Sequence, residues 1–409
     1  MLNASRFRMR RQVLVVGAGP IGLMAALRLR DMGVDVRVLA PATAPSESSS
    51  MVLLHSQSLR LLQDLGLSTA LFWVARKVPH LAVYADGERR AALDLPLGWR
   101  ATPGAATLPQ DILIQALTRE LARRGATVEW GARISKLYQD DRAVWGSVTQ
   151  QRAPGDAAEI SPFQADFLIG ADGADSSTRR LLGIELELIG PSRSYVSCLA
   201  QLRRPPGEAQ LALAADSTSV VYPVRDDRFR FVMELHQPLL TAPPNDVLRD
   251  LVHARFPWLE EPPASYERVQ PESTQAALAS RLGMGRVWLA GDAAHASGPL
   301  ADHVLNIGLS EVNELVLRMA EKLKRPTGSS FGDAYQSVRM RQWRELLGGA
   351  ASPPSGEREP GWIERHRPRL LEAAPALEQD LDDLMLQLNQ SGSSGRMRVG
   401  VTASVATEY

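Results

Sequence analysis

Three glycines near the start of the chain have the spacing of a phosphate-binding turn. Gly17, Gly19 and Gly22 follow the apolar run 13–16, and residues 23–32 are mostly helix formers. Between a strand and a helix, the first glycine permits a tight turn, the second lets the backbone approach a pyrophosphate, and the third allows close helix packing. The helix N-terminus adds N–H groups and partial positive charge. The segment predicts dinucleotide binding, with a purely structural glycine turn as the alternative.

Two later segments place an aspartate beside a glycine. The mid-chain sequence DGADSSTR contains Asp172, Gly173 and Arg179, and the later sequence GDAAH contains Gly291 and Asp292. Taken singly, each aspartate is explained as a turn or helix-capping residue, and Arg179 as a surface charge on a helix. The functional prediction depends on the order of the segments rather than on any one residue.

Asp302 and His303 form an adjacent pair in the loop after GDAAH. An acid beside an imidazole suits proton transfer, so the pair is a candidate for general acid–base catalysis. A solvated loop pair without a function is the alternative. The 7 histidines are otherwise scattered along the chain, and no metal site is predicted.

The composition favours a globular protein that acts on small molecules. Lys plus Arg and Asp plus Glu number 46 each, so no net charge draws the protein to nucleic acid or to an anionic membrane. Cys198 is the only cysteine, which excludes an internal disulfide and is compatible with a reducing cytoplasm. The apolar run 13–16 is too short for a secretion signal, and no apolar stretch is long enough to span a bilayer.

These residues need strands and helices to position them. Residues 13–40 predict strand, turn, helix and strand, and residues 108–130 predict a helix followed by a strand. Residues 76–102 and 191–238 alternate apolar and polar side chains, which predicts antiparallel strands of one sheet. Residues 286–324 return to strand, glycine-bearing loop and long helix.

The end of the chain has a different character. A linker rich in Pro and Gly, residues 352–361, precedes a helical piece at 363–388, and a Ser/Gly-rich tail begins at Ser391. The predicted fold class is α/β, with a Rossmann-type nucleotide-binding domain interleaved with an antiparallel β-sheet substrate domain, and a helical C-terminal appendage. The predicted nucleotide-binding domain comprises residues 1–75, 103–190 and 275–345, the substrate domain residues 76–102 and 191–274, and the C-terminal segment residues 346–409.

The order of the motifs resembles a known family. A glycine-rich start, a DGxxSxxR segment and a GDAAH segment followed by a long helix, at these separations, are similar to the aromatic hydroxylase class of flavoprotein monooxygenases. The resemblance extends over most of residues 11–345. It implies FAD as cofactor and NAD(P)H as the reductant.

The resemblance also implies roles for individual residues. Asp292 would hydrogen-bond the ribityl chain of FAD, and Gln110 would lie near its phosphate and ribityl region. Asp172 and Arg179 would shape the groove near the pyrophosphate and the approach of the nicotinamide. The implied cofactor-binding residues are Gly17, Gly19, Gly22, Gln110, Asp172, Gly173, Arg179, Gly291, Asp292, Pro299, Asn306 and Gly308.

The second sheet is expected to supply the lid of the substrate pocket. Tyr222, Phe231 and Met233 are the candidate substrate-binding residues, with Trp99 as a further candidate. An aromatic residue on a strand is more often plain core, so core packing is the alternative for each.

The sequence departs from the family at places expected to contact the flavin. Ala40 stands where an acidic residue binds the ribose, which removes one or two hydrogen bonds of about 1 kcal/mol each. Ser50 is the nearest counterpart of a missing arginine. Asp302 and Val304 replace glycines where the backbone runs close to the flavin ring. Val304 adds bulk and disfavours positive φ, and the Asp302 carboxylate would repel the negative charge of reduced flavin.

Three functions are compatible with this sequence. The favoured one is an FAD- and NAD(P)H-dependent monooxygenase that inserts one oxygen atom into an aromatic or polyketide-like small molecule. The second is an enzyme of the same fold without redox use of flavin, in which Asp302 and His303 catalyse the cyclisation, dehydration or isomerisation of a natural-product intermediate. The third is a non-catalytic scaffold. The first is favoured because the motifs that hold FAD outnumber the changed positions.

Overall fold

The computed structural model describes residues 12–45, 50–96, 104–151, 157–225, 227–325, 332–347, 361–376 and 378–393. The strands form a mainly parallel sheet of six, a mainly antiparallel sheet of eight and two sheets of three. Within the described ranges no helix combines the length and the apolar character needed to cross a membrane.

The parallel sheet carries the glycine turn. Its strands, in spatial order, are β18 Gly283–Met284, β19 Val287–Leu289, β12 Phe167–Gly170, β1 Gln12–Val16, β2 Asp35–Ala40 and β8 Val128–Trp130. β1 pairs in parallel with both β2 and β12, so it lies inside the sheet. The apolar residues 13–16 are at most 1% exposed, as expected for a strand that is covered on both faces.

Helices pack on one face of this sheet and a second sheet packs on the other. Val13 and Val15 pack with a helical layer, and Leu14 and Val16 pack with a three-stranded sheet. The helices of the first layer are α1 Pro20–Asp31, α2 Ser56–Asp64, α3 Ser68–Phe72, α4 Gln110–Arg123, α7 His303–Lys324 and α8 Gly332–Leu347. The sheet on the other face consists of β9 Ala132–Gln139, β10 Val144–Gln150 and β11 Glu159–Ala165.

The large antiparallel sheet lies mostly in the segments predicted for the substrate domain. Its strands, in spatial order, are β20 His295–Ala296, β17 Tyr266–Ala279, β13 Leu186–Gln201, β16 Arg228–Leu235, β15 Thr218–Arg225, β14 Ala209–Leu213, β5 His80–Ala85 and β6 Glu88–Asp94. β14 and β5 are the one parallel pair in it. β13 and β17 run through the predicted boundaries at 190 and 274. The predicted domain division therefore cuts continuous strands, and it stays a prediction.

Strand alternation gives the large sheet two distinct faces. Tyr195, Tyr222 and Val232 face a cluster that contains residues of the C-terminal helices. Phe231 and Met233 face the opposite cluster, which is covered by α6 Asn245–Arg255. Both clusters are buried, so this sheet has an apolar layer on each side.

A second three-stranded sheet links the two larger ones. It consists of β3 Met51–Leu54, β7 Ala105–Pro109 and β4 Arg76–Val78, in which β7 is central and antiparallel to both neighbours. A short helix, α5 Ser177–Leu181, follows the DGADSSTR segment, and a 3₁₀ turn, Gly291–Ala293, lies within GDAAH.

The C-terminal region folds back over the large sheet. The helix α9, Trp362–Ala373, ends two residues before Pro375, and α10 covers Glu378–Ser393. Ala374 has extended backbone angles, which a following proline favours, so the helix predicted over 363–388 is divided in two. Arg369 of α9 donates a hydrogen bond to Glu234 of β16 at 2.6 Å.

The structure confirms the predicted fold class, an α/β protein with a Rossmann-type unit, an antiparallel sheet and C-terminal helices. The predicted helix at 108–124 starts two residues later, because residues 105–109 form β7. The helix predicted at 23–32 begins at Pro20 instead, since proline is well suited to a first helical position. Most of the tail beyond Ser391 lies outside the described residues, as does Trp99.

Candidate cofactor and substrate site

The three glycines of the turn have different surroundings. Gly17 has φ of 118°, and a Cβ on it would collide with the carbonyl oxygen of Ala171. A Cβ on Gly22 would collide with the carbonyl oxygen of Gly17. Gly19 has no atom within 4 Å of such a Cβ. Two glycines are thus required by packing, while the third borders open space at the N-terminus of α1, where no side chain caps the helix.

The GDAAH turn meets the glycine turn at Ile21. A Cβ on Gly291 would lie 3.0 Å from Ile21 Cγ1, and one on Gly308 of α7 would lie 2.9 Å from Ile21 Cδ1. The first turn of α1, the 3₁₀ turn and α7 therefore converge on one side chain. Asp292 of this turn is exposed at its tip, yet the surrounding protein partly desolvates it and raises the pKa of its carboxyl group. The geometry presents a carboxylate beside an open helix N-terminus.

The Asp172 carboxylate forms hydrogen bonds within its own segment of the chain. Its carboxylate accepts hydrogen bonds from Ser176 Oγ at 2.5 Å, from Ser177 Oγ at 2.8 Å and from Thr178 N at 3.0 Å. It therefore holds the start of α5, and Gly173, with φ of 84°, allows the turn that brings it there. This arrangement matches the capping alternative for Asp172, and a role toward the nicotinamide stays a prediction.

Arg179 connects two of the motifs. It is 8% exposed and donates hydrogen bonds to the carbonyl oxygens of Ala293 at 3.0 Å and of Ala174 at 2.8 Å. Because Ala293 follows Asp292, the guanidinium fixes the backbone of the GDAAH turn. A surface position for Arg179, the alternative considered from sequence, is excluded by its burial.

Gln110 and Ser50 are joined through their backbones. Gln110 is the first residue of α4, and its N–H donates to the carbonyl oxygen of Ser50 at 2.8 Å. This bond ties the start of α4 to the residue before β3. Ala40, at the place of the family's acidic residue, is the last residue of β2 and is 2% exposed.

Asp302 joins three separate elements. It precedes α7 with φ of 50° and ψ of 39°, the left-handed conformation. Its Oδ2 accepts hydrogen bonds from Leu53 N of β3 at 2.7 Å and from Arg230 Nη1 of β16 at 2.9 Å. The side chains of Arg230 and Asp302 are only 11% and 15% exposed. The residue that replaces a family glycine thus forms a largely buried ion pair.

Asn306, one turn further along α7, also joins α7 to β3 and to the start of α2. Its Nδ2 donates to the carbonyl oxygen of Leu53 at 2.8 Å, and its Oδ1 accepts from His55 N at 2.8 Å and from Ser58 Oγ at 2.7 Å. Asn306 is 1% exposed, so these bonds satisfy a buried amide. The residue therefore fastens β3 and α2 to α7.

Both ring nitrogens of His303 are buried, and the ring lies against the backbone of Glu372 and Leu371. It is 2% exposed, and its ring makes an edge-to-face contact with His55 at 5.5 Å between centroids. Burial lowers the pKa of His303 to about 4, and hydrogen bonds to the Glu372 and Leu371 backbones and the Asp302 charge oppose this shift. The imidazole is therefore neutral near pH 7. Asp302 and His303 are adjacent but are not hydrogen-bonded to each other, so the predicted acid–base pair is not assembled in this geometry.

A cavity of about 340 Å³ lies against His303. Its walls come from β13, β17, the loop before α7, the end of α8 and helix α9, and they include Arg193, Tyr195 and Glu372. Arg193 Nη1 donates to Glu372 Oε2 at 2.5 Å, and the Tyr195 hydroxyl is 3.5 Å from Glu372 Oε1. Sequence reasoning missed these three residues. The alternation of β13 places Arg193 and Tyr195 on one face, but only the folded chain brings Glu372 to them.

The candidate substrate residues are divided between the two faces of the large sheet. Tyr222 is fully buried on the face of Tyr195, and its hydroxyl donates to the carbonyl oxygen of Leu300 at 3.2 Å. Phe231 and Met233 are on the opposite face, fully buried in the core beneath α6. The expectation that all three face one pocket is therefore corrected, because strand alternation puts Phe231 and Met233 on the face opposite Tyr195. Tyr222 shares the face of Tyr195 but is not among the described residues that line the cavity.

A second buried polar cluster was also not predicted. His295 Nε2 lies 2.7 Å from Glu311 Oε2, and Trp343 Nε1 donates to Glu311 Oε1 at 2.6 Å. The rings of His295 and Trp343 are stacked with centroids 3.8 Å apart. The cluster fastens the GDAAH segment to α7 and α8. Among the described residues, no group of three or more His, Cys, Asp or Glu side chains has the arrangement of a metal site.

The residues fit FAD differently at its two ends. Gly19, the open N-terminus of α1 and the Asp292 carboxylate suit a dinucleotide with a hydroxylated linker. At the place that the family resemblance assigns to the flavin ring, Asp302 presents a carboxylate whose oxygen is already bound to Leu53 and Arg230. The residues suit a pyrophosphate and a ribityl chain, whereas the ring end carries an ion-paired carboxylate at a position where the family has glycine.

Comparisons with known proteins agree with the fold and the motifs. Residues 10–348 match the FAD binding domain family. A 6-methylpretetramide 4-monooxygenase of Streptomyces rimosus is 28% identical over 345 residues, which are 82% of this chain but 60% of that protein. The chain thus spans less than two thirds of that relative's length.

Two solved structures have the same fold. An aklavinone-11 hydroxylase in complex with FAD and aklavinone superposes with a TM-score of 0.66 at 23% identity, covering 83% of this chain and 68% of that one. The Diels-Alderase PyrE3 of pyrroindomycin biosynthesis superposes with a TM-score of 0.66 at 21% identity, covering 94% and 81%. Because the family match includes the glycine turn, the DGADSSTR segment and GDAAH, the chain belongs to the FAD-binding domain family of class A flavoprotein monooxygenases.

Proposed function

We propose that the protein is an FAD- and NAD(P)H-dependent monooxygenase that inserts one oxygen atom into an aromatic or polyketide-like small molecule. The observation that carries this proposal is the convergence of the glycine turn, the Asp292 turn and α7 on Ile21. It brings together an uncapped helix N-terminus, an exposed carboxylate and close-packed glycines, which are features that suit dinucleotide binding. The family of the chain and the name of its Streptomyces relative support the same reaction class.

The chain's own residues have distinct tasks in this proposal. The backbone around Gly19 and the α1 N-terminus bind the pyrophosphate, and Asp292 accepts hydrogen bonds from the ribityl chain. Arg179 holds the Asp292 turn through Ala293. When bound, FAD would supply the activation of dioxygen, with NAD(P)H as the reductant. The substrate is held by the cavity between the large sheet and α9, which keeps water out.

The proposal also includes the kind of substrate and the cellular compartment. The substrate is a small molecule, and the single cysteine is consistent with a reducing cytoplasm as the compartment. Burial raises the pKa of the Cys198 thiol to about 12, so Cys198 is not a nucleophile in this reaction.

The test begins with cofactor binding. FAD is titrated into the purified full-length chain, and quenching of flavin fluorescence gives the dissociation constant. We expect Asp292→Ala to weaken FAD binding by about 1.5–3 kcal/mol, because a charged acceptor is removed. Asp246→Ala, at an exposed position on α6, is the matched control and is expected to leave the affinity unchanged. Full retention of FAD by Asp292→Ala would contradict the assignment of the ribityl contact.

The second step tests the reaction class. Candidate aromatic substrates are supplied with FAD, NADPH or NADH, and isotopically labelled dioxygen. We expect nicotinamide oxidation that depends on the substrate, and one labelled oxygen atom in the product. Conversion of a true substrate in the strict absence of oxygen and nicotinamide would refute oxygen transfer.

A second candidate function is acid–base catalysis in the same fold without redox use of flavin. The observation that favours it is the Asp302 carboxylate at the place of a family glycine, next in sequence to a buried, neutral His303. A structural neighbour named as a Diels-Alderase is a precedent for this fold outside hydroxylation. The anaerobic assay separates the candidates. If acid–base chemistry operates, His303→Ala is expected to reduce anaerobic conversion by roughly 10²–10⁴-fold.

A further inference from the structure

We propose that His295 is a positioning residue for the cofactor contact of Asp292, and that it acts as the charged partner of Glu311. The imidazolium keeps the Asp292 carboxyl group ionised, so that this group accepts hydrogen bonds from the ribityl chain. The inference deepens the proposed function and rests on it in one respect, because it takes Asp292 as the ribityl contact. It adds a buried ion pair that affects the cofactor without touching it.

His295 and Glu311 form a pair that is closed off from solvent. Their exposed fractions are 0% and 3%, and His295 Nε2 lies 2.7 Å from Glu311 Oε2. The other carboxylate oxygen, Oε1, accepts a hydrogen bond from Trp343 Nε1 at 2.6 Å, and the ring of Trp343 stacks on that of His295. A buried carboxylate that accepts two hydrogen bonds needs a cation beside it. The protonated imidazole of His295 is the cation in direct contact.

The polar groups of α8 leave this pair intact. Arg339, the other cation near Glu311, is bound to Glu314 at 2.5 Å. The Tyr335 hydroxyl donates to the carbonyl oxygen of Glu311 at 3.4 Å, and burial raises its pKa, so it is uncharged near pH 7. The charged group that touches the Glu311 carboxylate is therefore His295.

The other sides of the imidazole carry no competing anion. Its Nδ1 is buried and has no hydrogen-bond partner among the described residues. Leu278 of β17, which pairs with His295 through the backbone, is apolar. Arg179 of α5 binds the carbonyl oxygen of Ala293 in the same turn and adds no negative charge. Within the described part of the chain, Glu311 is thus the one anion bonded to the ring.

Asp292 lies in the same turn, three residues before His295. Burial raises the pKa of the Asp292 carboxyl group, and the positive charge of His295 opposes this rise. A carboxyl group that takes up a proton loses its charge, and with it the stronger type of hydrogen bond. Without the imidazolium, Asp292 would therefore be protonated at a higher pH and would hold the ribityl hydroxyl groups less tightly there.

The first test follows the Asp292 carboxyl group itself, without FAD. The full-length chain is labelled isotopically at the aspartate carboxyl carbons, and the pH titration of the Asp292 signal is recorded by NMR. Asp292→Asn identifies that signal by its absence. In His295→Gln the new amide can still donate to Glu311 but carries no charge. We expect the titration midpoint of Asp292 to move upward by about one pH unit in this variant. An unchanged midpoint would overturn the proposal, because a pair that only fastens the turn would leave the charge of Asp292 as it is.

A double variant gives an independent test in case His295→Gln does not fold. His295→Phe/Glu311→Gln removes both charges, so no unpaired ion is left buried, while the ring still stacks on Trp343 and the new amide still accepts its hydrogen bond. Because the pKa of Asp292 responds to the charge of His295, the midpoint should again move upward by about one pH unit. A midpoint that stays at the wild-type value would refute the role of His295.

The matched control removes another ion pair between the same two helices. Arg339 of α8 and Glu314 of α7 are replaced in Arg339→Met/Glu314→Gln. We expect this variant to leave the Asp292 midpoint unchanged. An equal upward movement in the control would contradict a specific effect of the His295–Glu311 pair.

The second test connects the charge of Asp292 to the cofactor. FAD affinity is measured by flavin fluorescence over a series of pH values. Since protonated Asp292 is the weaker acceptor, the affinity should fall as the pH drops through its titration, and the midpoint of this fall should be about one pH unit higher in His295→Gln. These measurements require no reductant, oxygen or turnover. An NMR midpoint that moves without a matching change in FAD affinity contradicts the ribityl contact of the proposed function, whereas an NMR midpoint that does not move contradicts this inference alone.

Discussion

Replacement of Asp302 by glycine is expected to act on stability and on FAD binding in opposite directions. The change removes the hydrogen bonds from Leu53 N and Arg230 Nη1, which are worth about 1.5–3 kcal/mol each because the acceptor is charged. The change also adds back roughly 1–2 kcal/mol of unfolding free energy, because glycine adopts a φ of 50° without the strain that a side chain causes. No capping interaction is lost, because the Asp302 side chain does not cap α7. The net loss of unfolding free energy is about 3 kcal/mol.

The effect on the cofactor follows from the same side chain. If residue 302 lies at the flavin ring, glycine would let the backbone approach the ring of oxidised FAD. The Asp302 carboxylate would in addition repel the negative charge of reduced flavin. We therefore expect Asp302→Gly to bind FAD at least as tightly as the wild type, although the protein itself is less stable.

The assay combines urea unfolding without FAD and FAD titration of the folded protein. The double variant Asp302→Gly/Arg230→Met removes both charges and is expected to recover much of the lost stability, because no unpaired guanidinium remains buried. The reasoning is refuted if Asp302→Gly is as stable as the wild type, or if it is less stable and also binds FAD more weakly.

Three further predictions concern other parts of the site. Gly22→Ala should prevent normal folding because its Cβ meets the Gly17 carbonyl, whereas Gly19→Ala should keep the unfolding midpoint and weaken FAD binding; circular dichroism and FAD titration distinguish these outcomes. Burial lowers the pKa of His303 to about 4 and of His55 to about 3, so both take up protons only on unfolding. The free energy of unfolding should therefore fall as the pH drops from about 6.5 to about 4, by roughly 1.4 kcal/mol per pH unit for each histidine, and urea titrations of His303→Phe should show a smaller slope. Arg179→Lys should weaken FAD binding without contact to the cofactor, because it loosens the Asp292 turn; an unchanged dissociation constant would argue against this positioning role.

The parts of the site that were predictable from sequence are those encoded within a few residues. The spacing of Gly17, Gly19 and Gly22 determines a local turn, and its meaning does not depend on distant chain segments. The same holds for the start of α5, where Asp172 binds residues four to six positions later. Such patterns can be interpreted directly because the interacting groups are neighbours in the chain.

The parts that were not predictable depend on distant pairings. Asp302 and Arg230 are 72 residues apart, and Arg193 and Glu372 are 179 apart, so nothing local indicates either ion pair. The sequence also does not show on which side of the large sheet Phe231 lies. Apolar layers cover both sides, so strand alternation alone does not distinguish them.

Helix α9 has a consequence for how this protein can change its chemistry over evolution. Residues 361–376 supply one wall of the cavity, yet they are separate in sequence from the strands and turns that form the nucleotide site. The helix packs on the sheet through buried apolar residues such as Leu370 and Ala373, and Arg369 adds a hydrogen bond to Glu234. Substitutions in this one short segment can therefore reshape the space for a substrate while leaving the nucleotide-binding core intact. Libraries confined to α9 are a direct route to variants that accept different ring systems.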